Sequence, residues 1–256
     1  PRSEILRVVH PGAKALIGSS VVTKPRPVGA DDWSHPYHGP DNNPQSSDRI
    51  AKAPYLTQFL TQPWYVPMPQ VTVTAGGRLF KAFGHIALKR REWEWLNSLV
   101  AINGYNGTHL WKRKLNPGFV IHRNTMVATP DTLYLGDDTS CKLIDTATGE
   151  PRGEIVIPKT VDPDGIWKWM AIEDGVLYAV VGEKEKLDKV LRGKRTDPGW
   201  PWRGLGRGYA AKYSWGFGRT LLSMDLQARK ILWTYRSHEP IDSRAVCMAN
   251  GRIFVY

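Results

Sequence analysis

From about Gly76 onward, apolar and polar residues alternate in short runs, each opened by a turn residue. Such runs open at Gly77-Arg78-Leu79-Phe80, Asp131-Thr132-Leu133-Tyr134, Gly175-Val176-Leu177-Tyr178 and Gly251-Arg252-Ile253-Phe254. Period-two alternation bounded by Gly, Asn and Asp reads as half-buried β-strand. A second kind of run follows each of the first three. It is apolar, then a polar turn, often with a Trp beyond: Leu99 to Asn103 with Trp111, Leu143 to Gly149, and Leu222 to Asp225 with Trp233. Asn106-Gly107 and Asn250-Gly251 are tight-turn dipeptides, because both residue types tolerate positive φ.

The spacing turns these strands into a repeat. Tyr134 and Tyr178 stand 44 residues apart, and Ile102 and Ile144 stand 42 apart. About 40–45 residues is the length of one four-stranded propeller blade. A single four-stranded sheet has two apolar faces and cannot bury them alone; stacking sheets around an axis does so. The segments at Leu79–Phe83, Leu133–Leu135, Val176–Val181 and Ile253–Tyr256 are therefore expected to be equivalent strands of successive sheets.

These units resemble the repeats of the pyrroloquinoline-quinone-type, quinoprotein-like β-propeller family. The turn Asp145-Thr146-Ala147-Thr148-Gly149 matches the family's turn best, and Trp111 and Trp233 match its aromatic position; the second unit lacks a Trp near Pro151. The resemblance implies an all-β chain folded as a partial quinoprotein-like β-propeller of about three to four blades. Residues 31–256 form the propeller segment, with long insertions at about 84–98 and 183–218.

The N-terminal residues differ. Glu4 to Val9 reads as the end of an amphipathic helix, His10-Pro11-Gly12 stops it, and Ala13 to Gly18 reads as a buried strand. This piece resembles the late part of a class I methyltransferase fold, so residues 1–30 are expected to be an α/β remnant and linker. The glycine-rich cofactor loop of such enzymes is absent, and no methyl-transfer residue is carried over. Residues 21–69 are rich in Pro, Asp, Asn and Ser, with aromatics interleaved, which disfavours simple disorder.

Composition narrows the partners. Thirty-five Lys and Arg against 24 Asp and Glu leave a formal charge of +11. The cations are spread without a helix-turn-helix, finger or aromatic-sheet signature, so nucleic acid is disfavoured, and an acidic polysaccharide or anionic surface is equally compatible. No run of about 18 apolar residues marks a membrane span, and Pro1-Arg2-Ser3-Glu4 does not read as a signal peptide. The missing initiator Met and the interrupted fourth repeat lead us to expect further blades or domains of a longer chain, or a second copy. A bacterial extracytoplasmic setting is the expectation for localisation.

Three chemistries compete. Quinone dehydrogenases, as the resemblance implies, use adjacent cysteines, a Trp under the cofactor and an Asp near calcium. Cys141 and Cys247 are the two cysteines here and lie far apart, and no haem signature is present. A quinone-dependent oxidoreductase is thus disfavoured, and no strong signal for bound quinone or haem remains. His35, His38 and Asp41 offer imidazole and oxygen donors to a possible divalent metal, or else hydrogen-bond to backbone and pin their loop. Trp200, Trp202, Arg203, Tyr209 and Trp215 in the second insertion, with His122, Arg123 and Arg244, supply ring faces and guanidinium groups suited to an anionic saccharide. The first expectation is a scaffold or ligand-binding module of a larger protein; the alternative is a carbohydrate-active lyase or hydrolase on acidic saccharides.

Overall fold

The computed structural model describes residues 2–54, 56–87, 89–116, 124–184 and 216–255. A short helix, α1 (Arg2–Val8), precedes a hairpin of β1 (Lys14–Ile17) and β2 (Ser20–Thr23). The expected buried strand at Ala13 to Gly18 is half exposed, because β2 is its only sheet neighbour and Leu16 points to solvent. The described residues from Lys24 to Pro67 hold no helix and one isolated bridge, His35 to His38.

Beyond them the chain builds sheets in sequence order. The first sheet is β3 (Met68–Ala75), β4 (Arg78–Ile86), β5 (Ser98–Asn103) and β6 (His109–Lys114). The second is β7 (Met126–Ala128), β8 (Thr132–Gly136), β9 (Cys141–Asp145) and β10 (Pro151–Ile155). The third is β11 (Ile166–Glu173), β12 (Val176–Gly182), β13 (Phe217–Asp225) and β14 (Lys230–Asp242). A hairpin of β15 (Val246–Ala249) and β16 (Arg252–Val255) begins a fourth. All pairings within these sheets are antiparallel neighbours. The protein is an all-β, partial β-propeller, and β4, β8, β12 and β16 each stand second in their sheet.

The core lies between the sheets. Phe80, Ala82, Leu99 and Ala101 of the first face Met126, Leu133 and Ile144 of the second. Cys141, Ile155 and Val127 of the second meet Trp167, Met170, Leu177 and Leu222 of the third. Trp169, Val180 and Leu221 then meet Val246 and Met248 of the fourth. Alternation along each strand sends successive side chains to opposite neighbours, which is why nearly every apolar position of β4 and β5 is buried.

The outer face of the first sheet is covered by the chain itself. Phe83, Val100 and Ile102 pack under Trp95 and Val66. Trp95 comes from a short 3-10 turn, Arg90–Trp95, in the first insertion. Its ring meets Phe83 edge-on at 6.3 Å and His109 at 5.2 Å. That insertion is a cap.

Candidate functional site: an axial strap, an inter-sheet cleft and an open face

The segment from Trp33 to Asn42 crosses the ends of the four first strands, where each turns into its second. The Thr74 N–H donates to the Trp33 carbonyl at 2.6 Å and the Ala128 N–H to the Ser34 carbonyl at 2.9 Å. The Ile172 N–H donates to His35 Nε2 at 3.1 Å, and the Met248 N–H to the Pro40 carbonyl at 2.9 Å. One backbone donor from each sheet is thus satisfied by one strap. Among the described residues the first strands have no ladder neighbour on the axis side beyond the single bridge Asn124 to Trp169, so these N–H groups need another acceptor.

This geometry decides the chemistry of the His pair. His35 is buried, and its Nε2 must accept, so Nδ1 carries the proton and donates to Ser34 Oγ at 2.8 Å. Burial pushes its pKa down to about 4, with Asp41 opposing and His38 assisting. His38 Nε2 lies 2.7 Å from Asp31 Oδ2. Burial would raise the Asp31 carboxyl, but the Ser47 N–H, His38 and Ser46 hold it well below the usual carboxylate range. Asp41 Oδ1 accepts the Asn43 N–H instead. Among the described residues no three His, Cys, Asp or Glu side chains group around a metal-sized point. In this structure the imidazoles hold the strap: His35 Nε2 accepts a buried N–H and His38 Nε2 meets the Asp31 carboxylate, which is the backbone-pinning alternative to a metal at His35, His38 and Asp41.

The remaining expected site residues divide. Trp200, Trp202, Arg203, Tyr209, Trp215, His122 and Arg123 lie outside the described residues. Arg244 sits in the turn between β14 and β15, where its guanidinium pairs with Asp242 and lies 5.8 Å from the Phe217 ring. It braces its own turn. Near it, Asn124 Nδ2 donates to the Ser243 carbonyl at 3.2 Å, joining the entries to β7 and β15.

Between the first and second sheets lies a cleft of about 480 Å³. Leu99, Leu135 and Ile144 form its floor, and Arg113, Lys114 and Asp137 lie at its rim. Arg113 donates to the Gly149 carbonyl, while Asp137 Oδ1 accepts the Thr139 and Ser140 N–H groups at 2.7 and 2.9 Å. The volume suits a small ligand; the floor is aliphatic, and among the described residues no aromatic ring lines it for stacking on a sugar.

The third feature is a repeated docking station that is filled twice and open once. The Trp111 ring reaches from the fourth strand of the first sheet onto the next sheet's turn, donating from Nε1 to the Thr146 carbonyl at 3.0 Å. Gly149, at φ 77°, makes room: a Cβ there would sit 2.7 Å from the Trp111 ring. The carboxylate of Asp145 shapes that turn by accepting the Ala147 and Thr148 N–H groups at 2.8 Å, and the Thr148 bond and its neighbours hold its pKa at about 2. At the second station Gly153 stands where the first has Trp111, and the next sheet's turn sends Arg229 back to the Glu154 carbonyl at 2.7 Å. The third station repeats the first. Trp233 pairs with Ser223 and Tyr178 across the sheet, as Trp111 pairs with Ala101 and Phe80. Its ring lies 6.3 Å from Tyr178, against 5.9 Å for Trp111 and Phe80. Yet Trp233 is 41% exposed and Tyr235 54%, since the fourth sheet contributes only its two inner strands among the described residues. Sequence reading found both Trp residues but could not tell the covered one from the open one.

No protein-family model and no curated protein sequence matches the chain. Among solved structures it is similar to a europium-containing methanol dehydrogenase, with 13% identity, a TM-score of 0.41, and coverage of 74% of this chain and 37% of that one. It is also similar to BamB from Moraxella catarrhalis, with 13% identity, a TM-score of 0.31, and coverage of 73% and 52%. A quinohemoprotein alcohol dehydrogenase from Comamonas testosteroni gives 11% identity, a TM-score of 0.44, and coverage of 80% and 27%. The chain thus spans between about a quarter and a half of these proteins' lengths.

Proposed function

We propose that this chain is a β-propeller scaffold and binding module of a larger protein, acting through association rather than quinone redox chemistry. The observation that carries the reading is the third docking station. Trp233 and Tyr235 present a surface whose counterpart, Trp111, is covered by the Asp145–Gly149 turn of the next sheet. The covering group that fits is a pair of β-strands joined by an Asp-x-x-Thr-Gly type of turn placed beside β16, supplied by further sequence of the same protein or by a partner. Strand addition satisfies edge N–H and C=O groups while the turn buries the indole. The opposite face of the stack is already capped by Trp95, so association is directed to one side.

The redox reading draws no support from the cysteines. Cys141 is fully buried between the second and third sheets and Cys247 lies on the fourth, both as free thiols. The cleft above Leu99, Leu135 and Ile144 supplies the binding role, for a small amphipathic ligand whose acidic group meets Arg113 at the rim.

Sedimentation velocity tests the association. The 256-residue chain is expected to self-associate, and Trp233→Ser with Tyr235→Ser is expected to return it to monomer without lowering its melting temperature. A wild-type monomer with a cooperative melt overturns the reading.

A further inference from the structure

A second surface, on the side of the stack away from Trp233, combines exposed apolar groups with cations. Residues 56–66 run along the outer edge of the first sheet. Thr61 Oγ1 donates to the Gly107 carbonyl at 2.8 Å, and His109 Nε2 donates to the Gln62 carbonyl at 3.0 Å. Phe59 packs against Gly107, where a Cβ would sit 2.4 Å from its ring. These anchors fix the segment, yet its larger side chains face solvent: Leu60 is 74% exposed and Trp64 57%, and Leu56 and Tyr65 are exposed too. A loop pinned by its polar groups and presenting its apolar ones outward gains nothing from that arrangement in water.

Cations surround it. The Arg91 guanidinium lies 4.8 Å and Lys89 Nζ 5.6 Å from the centre of the Tyr65 ring. Arg90 lies 5.8 Å from the Trp93 ring, and Lys112 Nζ 3.6 Å from Trp95. The acidic groups on the same turn are Glu92, buried and paired with Arg91 at 3.2 Å, and Glu94, whose exposed carboxylate lies near Lys112 and whose backbone carbonyl accepts from Lys114; the five cations Lys89, Arg90, Arg91, Lys112 and Lys114 outnumber these two. The patch is net positive, with Trp and Tyr at its centre and Leu beyond.

We infer that this surface docks on an anionic lipid bilayer. Trp and Tyr seat at the headgroup level, the Leu side chains enter the acyl boundary, and the Lys and Arg groups meet lipid phosphates. A hydrated polyanion would use the cations but has no use for Leu56 and Leu60, which is why the bilayer is favoured over nucleic acid or polysaccharide.

The test is co-sedimentation of the whole chain with vesicles of phosphatidylcholine alone and of phosphatidylcholine mixed with phosphatidylglycerol. Binding is expected to the mixed vesicles and to fall with salt. Each cation near an anionic surface contributes about fivefold in affinity, so Lys89→Gln with Arg90→Gln should weaken binding roughly 25-fold. Leu60→Ser with Trp64→Ser should weaken it at least as much. Both pairs are exposed, and an unchanged melting temperature shows that the variants fold. No pelleting with mixed vesicles overturns the inference. So does loss in the cation variant with full binding by the Leu60 and Trp64 variant, which would mark a polyanion site. Trp233→Ser with Tyr235→Ser should leave vesicle binding intact, keeping this outcome separate from the association of the open face.

Discussion

Acidification should loosen the axial strap through one imidazole. His35 Nε2 accepts the Ile172 N–H, and protonating it would set two donors against each other in a buried site. Its pKa falls from an ordinary 6.5 to about 4, chiefly through burial. Between those values the unfolded chain binds a proton that the folded chain does not. The stabilisation is therefore complete above about pH 6.5 and is lost as pH falls through about 4. The shift corresponds to about 3 kcal/mol, at about 1.4 kcal/mol per unit. Asp31 and Asp145, both held below their ordinary carboxylate value of 3.8, lose their contributions below that window. The variant for comparison is His35→Gln, whose amide oxygen can still accept from Ile172 but does not titrate. At neutral pH it should cost about 1 kcal/mol, for the lost Nδ1 donor to Ser34. Urea melts at half-unit pH steps give both stability curves. Their difference should shrink, and then reverse, between pH 6.5 and 4. Parallel curves through that range would refute the claim that this imidazole is buried neutral and holds the third sheet to the strap.

Trp95→Ala should lower stability by about 3–5 kcal/mol, read by urea denaturation, since the ring covers Phe83, Val100 and Ile102 and is itself buried. Gly149→Ala should destabilise measurably in the same assay: its φ is 77°, and the added carbon would displace the Trp111 ring. In native protein Cys247 should react with a thiol reagent and Cys141 should not, because burial leaves Cys141 inaccessible and pushes its pKa up; equal rates at both thiols would contradict the packing between the second and third sheets.

The repeat itself was legible because strand alternation and turn chemistry are local. Gly77, Asp131, Gly175 and Gly251 mark turns before second strands, and those strands fall where the alternation places them. The Asp145–Gly149 turn was equally plain, since an Asp side chain caps two N–H groups within three residues of itself. What lies between the sheets was not legible. The strap from Trp33 to Asn42 reads as a loop with two histidines, and only the convergence of Thr74, Ala128, Ile172 and Met248, some 40 to over 200 positions from their partners, turns it into the stitch of the axis. Spacing in a loop does not set side-chain geometry, so the sequence leaves His35 and His38 open between metal ligation and backbone pinning, and only the fold shows the partners their Nε2 atoms take. The difference between Trp111 and Trp233 is also tertiary. Both have the same cross-strand environment, and whether an indole is covered depends on a turn contributed by the next sheet. Local pattern determined the strands and their order. The burial of each face was decided by how sheets distant in sequence stack.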